Sequence, residues 1–103
     1  MELQQVFDYF DAHIDRQIRL EEICRLLGMS KFHFLRLFKK AVGVPPAQYL
    51  LNRRLEKTAL LLRHTNLDLE AIARRTGFSS HNYLCKTFKD RFSITPNKYR
   101  KSI

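Results

Sequence analysis

Two segments of the chain carry basic and amide side chains at intervals that would place them on one face of a helix. The residues are Phe32, Arg36 and Lys39 in the first segment, and Asn82, Lys86 and Lys89 in the second. Residues three and four positions apart are neighbours on an α-helix, because each residue turns by about 100°. Arg and Lys donate to guanine O6 and N7, Asn pairs with adenine, and apolar groups contact thymine methyls. Both faces therefore have the chemistry needed to read DNA bases.

The charge of the whole chain favours the same kind of partner. The 19 Lys and Arg residues outnumber the 10 Asp and Glu residues, which gives a formal net charge of +9. Such an excess opposes a compact state by self-repulsion, so a polyanionic partner is expected. A basic helical face is more often a solvated surface, and one such segment alone leaves both interpretations open. Two such faces in one small chain favour DNA.

The two segments belong to an internal repeat. At a shift of about 49 positions the identical residues are Leu20, Glu21, Ile23, Arg25, Gly28 and Ser30, matched by Leu69, Glu70, Ile72, Arg74, Gly77 and Ser79. At a shift of about 50 they are Phe38, Lys39, Pro46 and Tyr49, matched by Phe88, Lys89, Pro96 and Tyr99. These identities, with a single slip between the two sets, predict a tandem structural repeat.

Each copy of the repeat has the pattern of two helices joined by a tight turn. Apolar spacing predicts short helices over 20–27 and 69–76, and each is followed by a glycine, Gly28 or Gly77, suited to the left-handed conformation that ends a helix. A serine can then cap the next helix by accepting a backbone N–H bond. The candidate caps are Ser30 in the first copy and Ser79 or Ser80 in the second. The pattern predicts a helix-turn-helix in each copy.

The second helix of each copy is expected to bury one face and expose the opposite one. The predicted core residues are Phe34, Leu37, Phe38 and Ala41 in the first copy, and Leu84, Thr87, Phe88 and Phe92 in the second. The extra residue of the second copy falls in the turn or at the first helical positions. We expect it to change how that helix starts without changing its core face.

The remaining segments are also helical in pattern, and no segment has the pattern of a strand. The predicted helices are 2–14, 46–64 and a short last helix that begins at Pro96. The predicted fold class is all-α, with seven helices. Two helix-turn-helix subdomains, 1–45 and 65–103, are joined by the long central helix over 46–64.

An enzyme is the first alternative to a DNA-binding protein. The four histidines show no metal-ligand spacing with either cysteine, and the chain has no paired carboxylates or nucleophile motif. We therefore expect no enzymatic activity, no metal and no cofactor. A protein-interaction module is the stronger alternative, and it is compatible with DNA binding. Two cysteines are too few for a disulfide framework, so a reducing, intracellular compartment is expected.

The segment IARRTGFSSHNYLCKTFKDRFSITPNKYR resembles the second helix-turn-helix of the AraC/XylS family of bacterial transcription regulators. The segment ICRLLGMSKFHFLRLFKKAVGVPPAQYL resembles the less constrained first one, and the resemblance covers about 5–101. It implies a regulator that binds double-stranded DNA sequence-specifically near a promoter. Each half would insert one recognition helix into a major groove, so that one polypeptide reads two successive grooves.

The resemblance also implies which residues contact DNA. Base contacts would come from Lys31, Phe32, Leu35, Arg36, His81, Asn82, Tyr83, Cys85 and Lys86. Phosphate contacts would come from Ser30, Lys39, Ser79, Ser80 and Lys89. Phe32 has the alternative of packing against a neighbouring helix, but it lies about 160° from Phe34 around the helix, which favours a base or sugar contact. The flanking residues Leu35 and Cys85 are equally suited to packing on the preceding helix.

Two residues depart from the family pattern. Ser93 stands where the family commonly has glycine, and the first repeat has Gly43 at the matching place, which leaves the loop geometry after the second recognition helix open. Leu35 occupies a position that is often polar, which suggests apolar readout there.

The implied partners are promoter DNA and RNA polymerase, with no membrane, in the bacterial cytoplasm on the nucleoid. The alternative function is a DNA-associated protein-interaction module that contacts RNA polymerase with weak sequence specificity. The chain is expected to be a monomeric C-terminal fragment. Any dimerisation would then occur through a missing N-terminal domain.

Overall fold

The structure is a computed structural model of the 103-residue chain, and it describes residues 3–102. That range contains helices and no strand. The helices are α1 (Leu3–Ala12), α2 (Leu20–Leu27), α3 (Lys31–Val42), α4 (Pro46–His64), α5 (Leu69–Thr76), α6 (His81–Phe92) and α7 (Pro96–Lys101). The all-α prediction is confirmed, and α2, α4 and α5 begin and end at the predicted residues.

Helix α1 ends earlier than predicted. The prediction ran from residue 2, which lies outside the described residues, to residue 14, whereas α1 ends at Ala12 and the chain continues in turns. The Arg16 N–H donates to the His13 carbonyl at 3.2 Å, which bends the chain toward α2. Ile14 keeps a buried side chain although its backbone has left the helix. The apolar side chain of Ile14 therefore indicates that the residue is buried, but it does not indicate that the helix continues to it.

Two hydrophobic cores lie along α4. The first core consists of Val6, Phe10, Ile14, Ile23, Cys24, Phe34, Phe38 and Leu50. The second core consists of Leu55, Leu62, Ile72, Ala73, Phe78, Leu84 and Phe88. Fully burying one such Leu, Ile or Phe side chain stabilises the fold by about 1.5–3 kcal/mol. Because α4 supplies residues to both cores, it joins the two halves within residues 3–102.

The predicted core faces of α3 and α6 are confirmed at four positions, hold in part at Phe92, which packs against the second core, and are wrong at Ala41. Phe34, Phe38, Leu84 and Phe88 are fully buried. Ala41 is exposed, and Leu37, Thr87 and Phe92 are only partly buried. In α3 the buried ridge runs from Phe34 through Phe38 to Val42, four residues apart each time, and Val42 packs against the first core. A helix that rests on few neighbours buries one narrow ridge, so the adjacent ridge at Leu37 and Ala41 stays outside.

The extra residue of the second repeat lies in the turn. Ser30 and Ser80 are the caps of α3 and α6, and each side-chain oxygen accepts a backbone N–H bond, from His33 at 3.2 Å and from Tyr83 at 3.1 Å. Ser79 is therefore the inserted residue. The insertion changes how α6 starts only at the backbone of its cap, where φ is −156° at Ser80 and −72° at Ser30, while both helices keep the same serine cap bond.

The loop after α6 follows the first repeat despite its serine. Ser93 has φ 63° and Gly43 has φ 96°, and both lie in the left-handed region at the C-terminal end of their helices. The Ser93 N–H donates to the Lys89 carbonyl at 2.7 Å, as the Gly43 N–H does to Lys39 at 2.8 Å. A residue with a Cβ pays about 1–2 kcal/mol for this conformation, so Ser93 holds local strain.

The two halves come close at the Arg54 junction, which is formed by Arg54, Ile14, Arg16 and Gly77. The Arg54 guanidinium on α4 donates to the Ile14 carbonyl at 3.3 Å and to the Arg16 carbonyl at 2.7 Å. A Cβ built at Gly77 would overlap the Ile14 carbonyl oxygen and lie 2.8–2.9 Å from the Arg54 guanidinium nitrogens. A Cβ at Gly28 would meet nothing within 4 Å. Partial burial lowers the pKa of Arg54.

We expect Gly77→Ala to destabilise the chain more than Gly28→Ala. Both place a Cβ at positive φ, but only Gly77→Ala also forces it into the Ile14 carbonyl. Denaturant unfolding should show a loss of about 1 kcal/mol for Gly28→Ala. It should show about 2–5 kcal/mol for Gly77→Ala. Equal losses would contradict the close approach.

We expect Ser93→Gly to stabilise the chain. Glycine removes the left-handed strain, and part of the gain is cancelled by the greater freedom of glycine in the unfolded chain. The free energy of unfolding should rise by about 0.5–1 kcal/mol in urea titrations. The matched control Gly43→Ala should lower it by about 1 kcal/mol. A loss of stability in Ser93→Gly would show that the serine side chain makes a compensating contact.

Candidate nucleic-acid interface

Helices α3 and α6 are each anchored by two buried residues four positions apart. Phe34 and Phe38 fix α3 in the first core, and Leu84 and Phe88 fix α6 in the second. Each helix starts at a serine cap, and its first turn contains no acidic residue. The positive end of each helix dipole is therefore available to an anion.

The outer face of α3 carries an aromatic and a cation in contact. Phe32 is 70% exposed, and the Arg36 guanidinium carbon lies 5.5 Å from the centre of its ring. The interpretation that Phe32 packs on a neighbouring helix is therefore wrong. A cation above an aromatic face is attracted to the ring's negative charge, so Phe32 favours one placement of the Arg36 fork. Leu35 is 39% exposed beside this pair.

Lys31 differs from Arg36 because it already has a carboxylate partner. Its ammonium group donates to Glu21 on α2 at 2.7 Å, and both side chains are about half exposed. This hydrogen bond raises the pKa of Lys31 and lowers that of Glu21. Two N–H donors of the ammonium group remain for a nucleic-acid acceptor, and Glu21 neutralises part of the charge that Lys31 brings to it.

The outer face of α6 presents the predicted polar residues to solvent. His81, Asn82 and Lys86 are exposed. Tyr83 is 46% exposed, and its ring packs edge-on against the buried Phe78 ring with the centroids 5.7 Å apart. That contact holds the start of α6 against the inserted turn.

Cys85 lies at the edge of this face and is only partly exposed. Its burial raises the pKa of the thiol, so the neutral form is favoured. Of the two interpretations of Cys85, packing on the preceding structure fits its burial better than a full contact with a base. Lys86 stays on the open side and lies 3.7 Å from the Asp90 carboxylate.

The residues predicted to contact phosphate lie at both ends of α3 and α6. Ser30 and Ser80 use an oxygen lone pair for the helix cap, which leaves the hydroxyl hydrogen free to donate. Ser79 is exposed in the turn, and Lys39 and Lys89 are exposed in the last turns of α3 and α6. All five predicted residues are therefore accessible.

Arg54 is the residue of this surface that sequence reasoning missed. It lines a cavity of about 340 Å³ together with Leu35 and Ala47, and a second of about 680 Å³ together with Ser79 and Tyr83. It therefore lies between the predicted reading faces of α3 and α6. A signal was present, because Arg54 stands midway between Leu50 and Thr58 on the buried ridge of α4.

No group of three or more His, Cys, Asp or Glu side chains within 3–102 could hold a metal ion. No helix in that range is long and apolar enough to cross a membrane.

Comparison with known proteins agrees with the geometry. Residues 23–102 match the family of the helix-turn-helix domain. The chain is 33% identical to the multiple antibiotic resistance protein MarA of Escherichia coli (strain K12) over 98 residues, covering 95% of this chain and 77% of MarA. It is 33% identical over 101 residues to the regulatory protein PocR of Salmonella typhimurium, covering 98% of this chain but only 33% of PocR.

A solved structure of a DNA-binding domain has the same fold as this chain. The DNA-binding domain of AdpA, a global transcriptional factor crystallised in complex with a target DNA, superposes with a TM-score of 0.91 and is 27% identical. The superposition covers 97% of this chain and 90% of the AdpA domain. The family match, the tandem repeat and the two exposed helix faces lead to one conclusion: this chain belongs to the AraC-type helix-turn-helix family of transcription regulators.

Proposed function

We propose that the chain binds double-stranded DNA sequence-specifically by inserting α3 and α6 into successive major grooves near a promoter. The observation that carries the proposal is the repeated pairing of a buried anchor with an exposed basic face on each of these helices. The molecule measures 44 × 22 × 21 Å, so its long dimension exceeds the separation of about 34 Å between successive major grooves on one side of a duplex.

Each group of residues has its own role in this proposal. Arg36 and Lys86 donate to guanine, and Asn82 pairs with adenine. Phe32 and Leu35 supply apolar contacts, and Lys31, His81 and Tyr83 complete the base-facing set. Cys85 packs at the edge of that face. The phosphate contacts come from Ser30, Lys39, Ser79, Ser80 and Lys89. These contacts position the protein on the duplex and carry no sequence information themselves.

The division of the chain follows from the same proposal. Residues 1–45 and 65–103 act as the two reading units, and the helix over 46–64 sets the distance between them. The chain works on bacterial nucleoid DNA as a monomeric module.

RNA polymerase is the second proposed partner. Leu60 on α4 is 54% exposed and Leu26 on α2 is 44% exposed, and both lie outside the predicted DNA-contacting residues. Single exposed leucines are normal on a protein surface, so this partner rests on the resemblance to regulators that contact RNA polymerase.

A salt titration tests the proposed function. If the basic faces neutralise phosphates, the logarithm of the binding constant should fall with the logarithm of salt concentration by about 0.9 for each phosphate. A duplex selected from a random pool should also bind more tightly than unselected duplex at every salt concentration. A flat salt response, with equal affinity for selected and random duplexes, would contradict the proposal.

We expect Arg36→Ala and Lys86→Ala to relax base discrimination in different halves of the selected site. Each should lose about 1–3 kcal/mol on the selected duplex, since each removes one base-edge contact in its own groove. The measurement is binding to a set of duplexes with single base-pair changes. Lys98→Ala removes an equal charge from α7, outside α3 and α6, and should leave discrimination unchanged. If Arg36→Ala and Lys86→Ala changed discrimination at the same base pairs, reading of two grooves would be wrong.

A further inference from the structure

We infer that Arg54 is a positioning residue that fixes α3 relative to α6 and thereby restricts the chain to one spacing between the two half-sites. This inference rests on the proposed function and deepens it. It assigns a specificity role to a residue that contacts no base.

The first support is what Arg54 holds in the first half of the chain. Its guanidinium donates to the carbonyls of Ile14 and Arg16, which lie 40 and 38 residues earlier, in the connection between α1 and α2. A hydrogen bond from a charged donor is roughly twice as strong as one between neutral groups. The connection that leads into the first helix-turn-helix is therefore tied directly to α4.

The second support is that the second half of the chain lies against the same Ile14 carbonyl and Arg54 guanidinium. Gly77 opens the turn that leads to α6, and it passes so close to the Ile14 carbonyl and the Arg54 guanidinium that no Cβ fits. Phe78 follows Gly77 in that turn, and Tyr83 lies on α6. Both line two cavities together with Arg54. One side chain therefore contacts the segment before α2 and the turn before α6.

The neighbouring arginine shows what a local contact looks like. Arg53 pairs with Asp11 on α1 and with Glu56 on α4, at 3.1 Å in both cases. These partners are exposed carboxylates, and none of them belongs to the second repeat. Arg53 supplies a matched residue of the same type, one position away, that lacks the contact between the halves.

The second repeat also has an arginine that bonds to backbone carbonyls, but this arginine does not contact the first repeat. Arg100 on α7 donates to the carbonyls of Leu62 and Thr65 at 3.2 and 3.3 Å, which ties α7 to the end of α4 just before α5. Both halves therefore use an arginine to hold the chain that leads into their helix-turn-helix. Of these two arginines, Arg54 alone also lies against the other repeat, at Gly77.

The consequence concerns the DNA. Each added base pair moves the second half-site by about 3.4 Å and rotates it around the duplex axis. A protein whose α3 and α6 are held in one relation cannot follow that movement. A protein whose halves move independently can.

The experiment measures how binding depends on half-site spacing. The probes are a selected duplex and versions of it with one base pair inserted or deleted between the half-sites read by α3 and α6. For the wild-type chain, each change should weaken binding by about tenfold or more, comparable with losing one base contact. For Arg54→Met the penalty should fall to about threefold or less, because the halves adjust separately. Arg53→Met should keep the wild-type penalty.

A second measurement needs no DNA and separates this inference from the proposed function. Spin labels at Lys40→Cys and Asp90→Cys, in a Cys24→Ala and Cys85→Ser background, report the distance between the ends of α3 and α6. The distance distribution should be narrow with Arg54 present and broad in Arg54→Met, with circular dichroism confirming that the helices remain. Arg54→Lys, which keeps the charge but loses the planar fork, should also broaden the distribution and serves if Arg54→Met does not fold.

The outcomes are distinct. If the wild-type chain bound no duplex preferentially, the proposed function would be wrong. The distances between the spin labels would still test the Arg54 junction. Unchanged spacing penalties and an unchanged narrow distribution in the folded Arg54 variants would overturn the inference and leave DNA reading intact.

Discussion

The structure depends on a contact between an arginine and backbone carbonyls at the place where the two repeats touch. The two cores share no residue and are joined by α4, and a second contact beside that helix restricts the orientation of one core relative to the other. Arg54 fixes that orientation by bonding to the Ile14 and Arg16 carbonyls, and Gly77 permits the second turn to close on the same atoms. Charge-assisted bonds to a fixed backbone are directional, whereas apolar packing is not. The helix α4 carries this arginine between its contributions to the two cores.

Within each repeat, the residues that hold the fold and the residues on the outer face are different. Two residues four positions apart, Phe34 with Phe38 and Leu84 with Phe88, are fully buried and leave the opposite face of their helix to solvent. The outer residues are therefore free to differ between the repeats without loss of packing. On α3 the outer cation rests on an aromatic ring, whereas on α6 it lies near a carboxylate. The two faces thus have the same helical support and different chemistry, as expected of two reading helices with different base preferences.

Local signals made much of this fold predictable. The ends of α2 and α5 follow from Gly28 and Gly77, and the start of α4 follows from Pro46, because these residues end or start helices in any context. The other bounds of these helices follow from the apolar spacing. The end of α1 was wrong because no such residue marks it, and the apolar Ile14 suits a turn in the core as well as a helix. The core faces were right where burial is complete and wrong at Ala41, because the number of neighbouring helices decides how wide a buried face becomes. Its place on the buried ridge of α4 marks Arg54 in the sequence, but its partners do not, because they are backbone atoms about 40 residues away. The roles of the individual base-facing residues remain predictions.

The central claim is that one polypeptide places α3 and α6 in two successive major grooves on the same side of a duplex. Guanine methylation interference on a selected duplex tests it most directly, because a methyl group on N7 blocks the major-groove edge that Arg and Lys read. The account predicts two clusters of interfering guanines whose centres lie about 10–10.5 base pairs apart. A single cluster, or two clusters half a helical turn out of phase, would contradict it.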